Sequence, residues 1–235
     1  MIKFKFSVLI IMITFFSSSC TDNPKSDQAE VSEAREVTPI GDATKHTIDK
    51  QNSDVTWVGT RPGKRHNGTI GIKQGNLQVA NNTLVGGTIV LDMQDIEVLD
   101  LEGEDKQKLT GHLKSPDFFD SEGSPEARFE ITSVEVIDGN TNTASAAIQS
   151  DNEFQLANPT HKVSGNLTMR EKTLGITFPA RIDTNSDEIK AEAKFNIDRT
   201  QWGVSYQDEA KAVDKAKDKF IYNTVNVGFN IVAQK

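Results

Sequence analysis

The stretch Val225-Asn226-Val227-Gly228-Phe229-Asn230-Ile231-Val232 decides the fold class of this chain. Its large apolar residues stand at every second position, and small or amide side chains fill most of the positions between them. Successive side chains of a β-strand point to opposite faces, so this period of two predicts a half-buried strand rather than a helix.

The same alternation recurs through the body of the chain. It is strongest in residues 163–169, 174–182 and 189–197. Shorter runs cover residues 55–59, 68–72, 76–79, 84–93 and 127–137, and residues 143–149 suggest a further short strand. Within 127–137 the apolar phase slips between Ile131 and Val134, which predicts a β-bulge. Turn residues separate the runs at Gln74-Gly75, at 138–140 and at 185–187.

Two stretches break the strand pattern and predict short helices. Leu101–Lys114 and Glu209–Phe220 each begin with acidic residues and end with basic ones, an order that complements the helix dipole. About eight antiparallel strands with one or two short helices predict an all-β domain, either a sandwich or a closed barrel. A barrel of eight strands is just wide enough to hold one small ligand.

Short motifs along the chain resemble the YceI-like family in sequence order. They are Trp57-Val58-Gly59, His66-Asn67-Gly68, Leu113–Asp120, Pro125–Phe129, Val163–Met169, and Phe195–Arg199 with Trp202-Gly203. The resemblance covers roughly residues 47–233 and implies an extended lipocalin-like antiparallel barrel. Members are exported bacterial proteins, and some hold a polyisoprenoid chain in an apolar cavity. Two loops depart from the family pattern, Arg170-Glu171-Lys172 and the polar stretch 150–162.

The apolar face of the predicted strands supplies the candidate ligand-binding residues, because core and cavity lining share one face in a barrel. The candidates are Phe129, Leu167, Ile176, Phe178, Ala193, Phe195, Val227 and Phe229. Small inward residues such as Ala193 are needed if space is to remain inside. The sequence leaves open whether the interior is hollow or filled by side chains.

A few polar residues are candidates for the barrel mouth. His66 could hydrogen-bond a ligand head group, but fixing its own loop is the favoured interpretation. Arg199 could contact a head group, but a pair with Asp117 or Asp120 is favoured. The two aspartates themselves are expected to be capping and turn residues rather than catalytic groups.

The N-terminus has the layout of an export signal. Lys3 and Lys5 precede an apolar run over residues 8–16, and Ser17-Ser18-Ser19 leads to Cys20, the single cysteine. We expect residues 1–20 to be a lipoprotein signal with Cys20 as the lipid anchor, against the alternative of an ordinary secretory signal. The apolar run is too short for a transmembrane helix. The expected location is the cell envelope, at the membrane through lipidated Cys20.

Composition predicts a flexible polar tether over residues 21–45, followed by a barrel domain over 46–235. Removal of the signal, which contains Lys3 and Lys5, changes the formal net charge from −8 to −10. Such acidity disfavours nucleic-acid binding. The scattered histidines give no metal-ligand spacing, and neither a catalytic motif nor a cofactor motif is present, so no enzyme is predicted.

Two functions remain from the sequence. The first is a lipoprotein that binds or carries an isoprenoid or a similar long apolar chain in its barrel. The second is an envelope structural or stress-related protein with a packed barrel and no ligand, whose loops contact an unknown protein partner.

Overall fold

The computed structural model describes residues 23–38, 41–137, 152–184, 188–214 and 219–235. The predicted signal with Cys20, the expected short strand at 143–149, and the predicted turns at 138–140 and 185–187 all lie outside these ranges. Within them, one sheet contains ten strands. The strands are β1 (Glu30–Ser32), β2 (Thr44–Ile48), β3 (Asp54–Arg61), β4 (Lys64–Ala80), β5 (Thr83–Val98), β6 (Glu126–Val136), β7 (His161–Met169), β8 (Lys172–Asp183), β9 (Glu188–Asp198) and β10 (Thr224–Gln234).

Strands β3 to β10 close into an eight-stranded antiparallel barrel, as predicted. Each strand pairs with the next along the chain, and β10 returns to pair with β3. The short strand β2 bridges β4 and the end of β10 beside β3, so β2 and β3 act as two parts of one interrupted strand. Closure leaves the barrel without a long exposed edge.

The predicted bulge in β6 is present, because the β6–β7 register shifts between Ile131 and Ser133. The predicted turn at Gln74-Gly75 is wrong. Strand β4 continues through it, and only a register irregularity between Ile72 and Gln74 marks the site. The same residues that favour a turn can be accommodated in a β-bulge, which leaves the strand paired on both sides.

The helix α1 (Gly103–Lys114) forms where the sequence predicts it, between β5 and β6. Glu104 and Asp105 lie in its first turn and His112 and Lys114 in its last, and Leu113 is buried. The second expected helix is wrong for the described residues: only a 3-10 turn at Glu209–Lys211 forms. We call the end of the barrel that carries α1 and the β9–β10 connection the helix end, and the opposite end the far end.

The segment before the barrel corrects the prediction of a flexible tether. Residues 24–35, called the strap below, lie against the barrel, and β1 within them pairs with Gly175–Thr177 of β8. Ala29 is buried in the main apolar core. The prediction from composition was wrong here because the strap contributes few apolar side chains to the core. Hydrogen bonds hold most of it in place, and a count of large apolar residues does not detect them.

Candidate functional site

An apolar cavity lies inside the barrel. Eleven of its twelve lining residues are apolar and come from seven of the eight barrel strands; the exception is Arg128. The apolar members are Val55, Ile89, Leu91, Phe129, Leu167, Ile176, Phe178, Phe195, Ile197, Val227 and Phe229. Strand alternation explains this wall, since each strand directs every second side chain inward. Such a surface can bind an apolar group by the hydrophobic effect but offers little for catalysis.

Four phenylalanines form a cluster within this interior: Phe129, Phe178, Phe195 and Phe229. The rings of Phe178 and Phe195 stack with centroids 4.2 Å apart. Phe229 meets the Phe178 ring nearly edge-on at 5.7 Å, and the Phe129 ring centroid lies 5.5 Å from that of Phe178. These are favourable aromatic geometries, so the phenylalanine cluster is a stable unit that links strands β6, β8, β9 and β10.

The phenylalanine cluster divides the interior space. The main cavity has a volume of about 80 Å³, and a second apolar cavity of about 20 Å³ lies toward the far end. Phe129 and Phe229 line both cavities and are only partly buried, whereas Phe178 and Phe195 are 2% and 3% exposed. Pockets that hold drug-sized ligands have volumes of about 300–1,000 Å³. A long chain can therefore occupy this interior only if side chains move, and Phe129 and Phe229 are the rings whose movement would join the two spaces.

The structure places seven of the eight predicted lining residues around the main cavity. Ala193 differs: it is 1% exposed and packs within the core, outside the walls of both cavities. Sequence reasoning missed Val55, Ile89, Leu91 and Ile197, which follow the same alternation and could have been found by it. It also missed Arg128, whose neighbours Ala127 and Phe129 assign it to the outer face of β6.

His66 pairs with Asp100 at the helix end. Its Nδ1 lies 2.8 Å from Asp100 Oδ2, and Asp100 Oδ1 accepts a hydrogen bond from the backbone N–H of Asn67 at 3.0 Å. Burial acts to raise the pKa of Asp100, but the hydrogen bonds from Asn67 and His66 outweigh it, and the pKa is lowered on balance. The arrangement ties β4 to the segment after β5, which agrees with the loop-fixing interpretation of His66.

Arg199 does not pair with Asp117 or Asp120, so the favoured prediction for it is wrong. Its guanidinium donates to the backbone carbonyls of Val204, Ile221 and Tyr222 at 2.6, 3.1 and 3.3 Å, and the residue is 4% exposed. Burial lowers its pKa, while Asp208, Asp198 and Glu209 act in the opposite direction. Arg199 therefore organises the β9–β10 connection from inside and is not placed to meet a ligand head group.

The two aspartates have the structural positions expected of them. Asp120 adopts a positive φ of 49° in the turn after α1, and its carbonyl accepts a hydrogen bond from Ser124. Asp117 is exposed, with Oδ2 3.5 Å from His112 Nε2. They do not form a pair of carboxylates facing a shared cleft.

One of five buried side-chain atoms without a hydrogen-bond partner among the described residues belongs to β3, a strand that also contributes to the cavity wall. Trp57 lies inward on β3, directly opposite the cavity residue Val227, and its Nε1 is buried without a hydrogen-bond partner among the described residues. Buried donors normally have partners. Trp57 Nε1 is therefore a buried donor without a partner on the strand position opposite Val227, and in the sequence only its place in the Trp57-Val58-Gly59 motif singles it out.

The described ranges contain neither a cluster of three or more metal-ligating side chains nor a helix long and apolar enough to cross a bilayer. Comparison with known families gives a direct result: the model of the YceI-like domain matches residues 46–233. The chain belongs to the YceI-like family.

Solved structures share the fold of this chain. The crystal structure of BcnA from Burkholderia cenocepacia superposes with a TM-score of 0.58 at 16% identity, covering 80% of this YceI-like chain and 99% of that one. A polyisoprenoid binding domain from Saccharophagus degradans, implicated in plant cell wall breakdown, gives a TM-score of 0.54 at 15% identity over 80% and 97% of the two chains. No curated protein matches the chain in sequence. At these identities the likeness concerns the fold.

Proposed function

We propose that this protein is an exported lipoprotein that binds or carries a long apolar chain, an isoprenoid or a similar lipid, inside its barrel. The observation that carries the proposal is the almost wholly apolar cavity around the phenylalanine cluster. Family membership and the polyisoprenoid-binding relative support the ligand class. Each CH₂ group transferred from water into this interior would contribute about 0.8 kcal/mol.

The cavity volume determines how a long apolar chain could be bound. A site of about 80 Å³ accommodates only a small part of a long chain. We therefore expect the partly buried rings of Phe129 and Phe229 to rotate on binding and join the two cavities. Trp57 Nε1 would then donate a hydrogen bond to an oxygen at the polar end of the ligand, which fixes its orientation.

The small volume also favours a second candidate, an envelope interaction protein whose packed barrel holds no ligand. Two matched substitutions separate the two functions. Val227→Phe adds a ring at the cavity wall, whereas Val136→Phe makes the same change at a residue that is 66% exposed on β6. The probe is all-trans-retinol, an isoprenoid alcohol whose fluorescence rises in apolar surroundings.

We expect the wild type and Val136→Phe to bind retinol with the same affinity, and Val227→Phe to bind roughly tenfold more weakly because the added ring occupies the site. Mass spectrometry of an organic extract, from protein purified out of its native membrane, should show a long-chain lipid. No retinol binding by the wild type together with a lipid-free extract would favour the packed barrel.

The anchor is tested separately. Cys20→Ser removes the only thiol to which lipid can be attached, so we expect the protein to leave the membrane fraction for the soluble envelope fraction. Two acyl chains are normally required for firm anchoring, and a diacylglyceryl group supplies both. Unchanged fractionation of the Cys20→Ser form would refute the lipoprotein assignment and leave the cavity proposal standing.

A further inference from the structure

The barrel wall has a seam between β8 and β9. These strands pair through only three residue pairs, which join Arg181–Asp183 to Lys190–Glu192 near the far end. Beyond them toward the helix end the two strands are not paired with each other, although Ile176 and Phe178 on one side and Phe195 and Ile197 on the other line the cavity. The cavity is therefore bounded here by something other than a continuous pair of barrel strands.

The strap fills this seam. On one side, β1 pairs antiparallel with Gly175–Thr177 of β8. On the other side, Asn196 of β9 donates its N–H to the carbonyl of Asp27 at 2.7 Å and accepts from the N–H of Ala29 at 2.9 Å. Ala29 is 3% exposed and belongs to the core, and the partly buried Val31 packs against this core. The strap is thus a strand inserted between β8 and β9, and its Val31 lies directly opposite the cavity residue Ile176.

Polar side chains hold the strap from outside. The side-chain amide of Asn196 donates to the carbonyl of Pro24 at 2.7 Å. Asn166 on β7 exchanges two hydrogen bonds of 2.8 Å with the backbone of Arg35, whose guanidinium donates to Thr177 at 2.9 Å. Each such hydrogen bond contributes about 0.5–1.5 kcal/mol net, and Ala29 and Val31 are the apolar residues that the strap adds to the core.

The helix end is more firmly closed. Trp202 is 1% exposed and donates from Nε1 to the carbonyl of the cavity residue Leu167 at 2.9 Å. Arg199 binds three backbone carbonyls of the same connection. Phe118, His112 and Tyr206 add an aromatic cluster with ring centroids 4.6–5.3 Å apart. Opening this end would displace contacts of the barrel strands and their connections, whereas opening the seam displaces the strap, which is not one of the strands that close the barrel.

We propose that the strap is a detachable strand that gates the cavity, and that an apolar ligand enters and leaves sideways through the seam between β8 and β9. This inference rests on the proposed function, since it names the route to the same cavity. Detachment of residues 27–33 exposes the edges of β8 and β9 and the space beside Phe178 and Phe195. The remaining pairs of the barrel stay intact during this motion.

A reversible cross-link tests the gate. Glu30 and Thr177 are directly opposed in the antiparallel pair of β1 and β8, and such residues have Cα atoms about 4.5–5.5 Å apart, within the range for a disulfide. The full chain would carry Glu30→Cys and Thr177→Cys together with Cys20→Ser, so that only the introduced thiols are present. Neither introduced residue belongs to the cavity wall. Retinol uptake and release are followed by stopped-flow fluorescence in the oxidised and reduced forms of one preparation.

Oxidation should slow both uptake and release of retinol roughly tenfold or more, and reduction should restore them, because a gating motion limits access. Equal rates in the two forms, with retinol still bound at equilibrium, would overturn the gate and leave the proposed function intact. Absence of retinol binding in both forms and in the wild type would instead refute the proposed function, and the gate with it.

Gly175→Ala provides a second test, in which retinol uptake should become faster instead of slower. A Cβ at Gly175 would lie 2.5 Å from Ser32 Oγ and 2.6 Å from the carbonyl oxygen of Glu33, so the strap must move outward. We expect retinol uptake to become several-fold faster. Gly41→Ala is the matched control, because a Cβ there meets nothing within 4 Å. Unchanged uptake in Gly175→Ala, with the disulfide also without effect, would exclude the seam as the route.

Discussion

The two flanks of β9 show how differently one barrel can be closed. Toward β10, β9 forms eleven consecutive residue pairs, from Glu188–Gln234 to Thr224–Asp198. Toward β8 it forms three, and the strap completes the rest. Strands β8, β9 and β10 all have the same apolar alternation. The alternation therefore decides which side chains face the interior, but it does not decide which strand becomes the neighbour.

Small and polar residues on the outer face explain the difference. Gly175 leaves room for the Ser32 hydroxyl and the backbone of Glu33, and Thr177 and Asn196 are 5% exposed and hydrogen-bonded to the strap. Buried polar groups must be hydrogen-bonded, and the strap supplies partners for these two side chains while it covers them. The β8–β9 flank is built to receive an added segment, whereas the β9–β10 flank is complete without one.

The largest expected effect is the loss of stability caused by a substitution at Gly165, which lies against the continuous barrel wall. The nearby Gly175 lies against the strap at the seam and provides the comparison. A Cβ at Gly165 would lie 2.6 Å from the carbonyl oxygen of Glu130 and 2.5 Å from the ring of Phe129. Both belong to the paired strand β6, which cannot move away without bending the barrel. We expect Gly165→Ala to lower the free energy of unfolding by about 1–3 kcal/mol, as overpacking does, measured by urea denaturation.

Gly175→Ala is the comparison, since its clash is relieved by displacement of the strap. We expect a smaller loss of global stability and faster amide exchange confined to residues 27–33. Equal losses in the two variants, with no change in strap exchange, would show that the strap is as firmly integrated as the barrel strands.

A smaller effect is expected from Asn196→Ala. This change removes the donor to the carbonyl of Pro24 and the acceptor of the bond from Asn226 Nδ2, at 2.7 and 2.9 Å. Asn226 Nδ2 keeps the carbonyls of Phe154 and Phe195 as acceptors, so the net loss is the bond to Pro24. We therefore expect the free energy of unfolding to decrease by about 1 kcal/mol, together with faster proteolysis within residues 24–29.

Asn230→Ala is the control for this loss. Asn230 faces outward on the continuous β9–β10 flank, opposite Glu192. Its replacement should change stability by less than about 0.5 kcal/mol, as surface substitutions usually do. A loss as large as that of Asn196→Ala, with unchanged proteolysis of the strap, would contradict a special role for the seam.

Much of the barrel and its lining could be predicted, and the errors have physical reasons. The long alternating strands and α1 formed where expected, because their local pattern and their tertiary environment agree. The helix expected over 209–220 did not form in the described residues, where the side chains of Asp208 and Asn223 hydrogen-bond instead and hold the loop. Local charge order does not outweigh such tertiary contacts.

The sequence by itself determined the fold class, the family and the apolar face from which the cavity is built. These properties are written in side-chain periodicity and short motifs, which are local. Only the tertiary structure decided the cavity volume, the role of Arg199 and the position of the strap. Each of these depends on contacts between residues far apart in the chain, such as Asn196 with Pro24, and hydrogen bonds of this kind leave no periodic signal in the sequence.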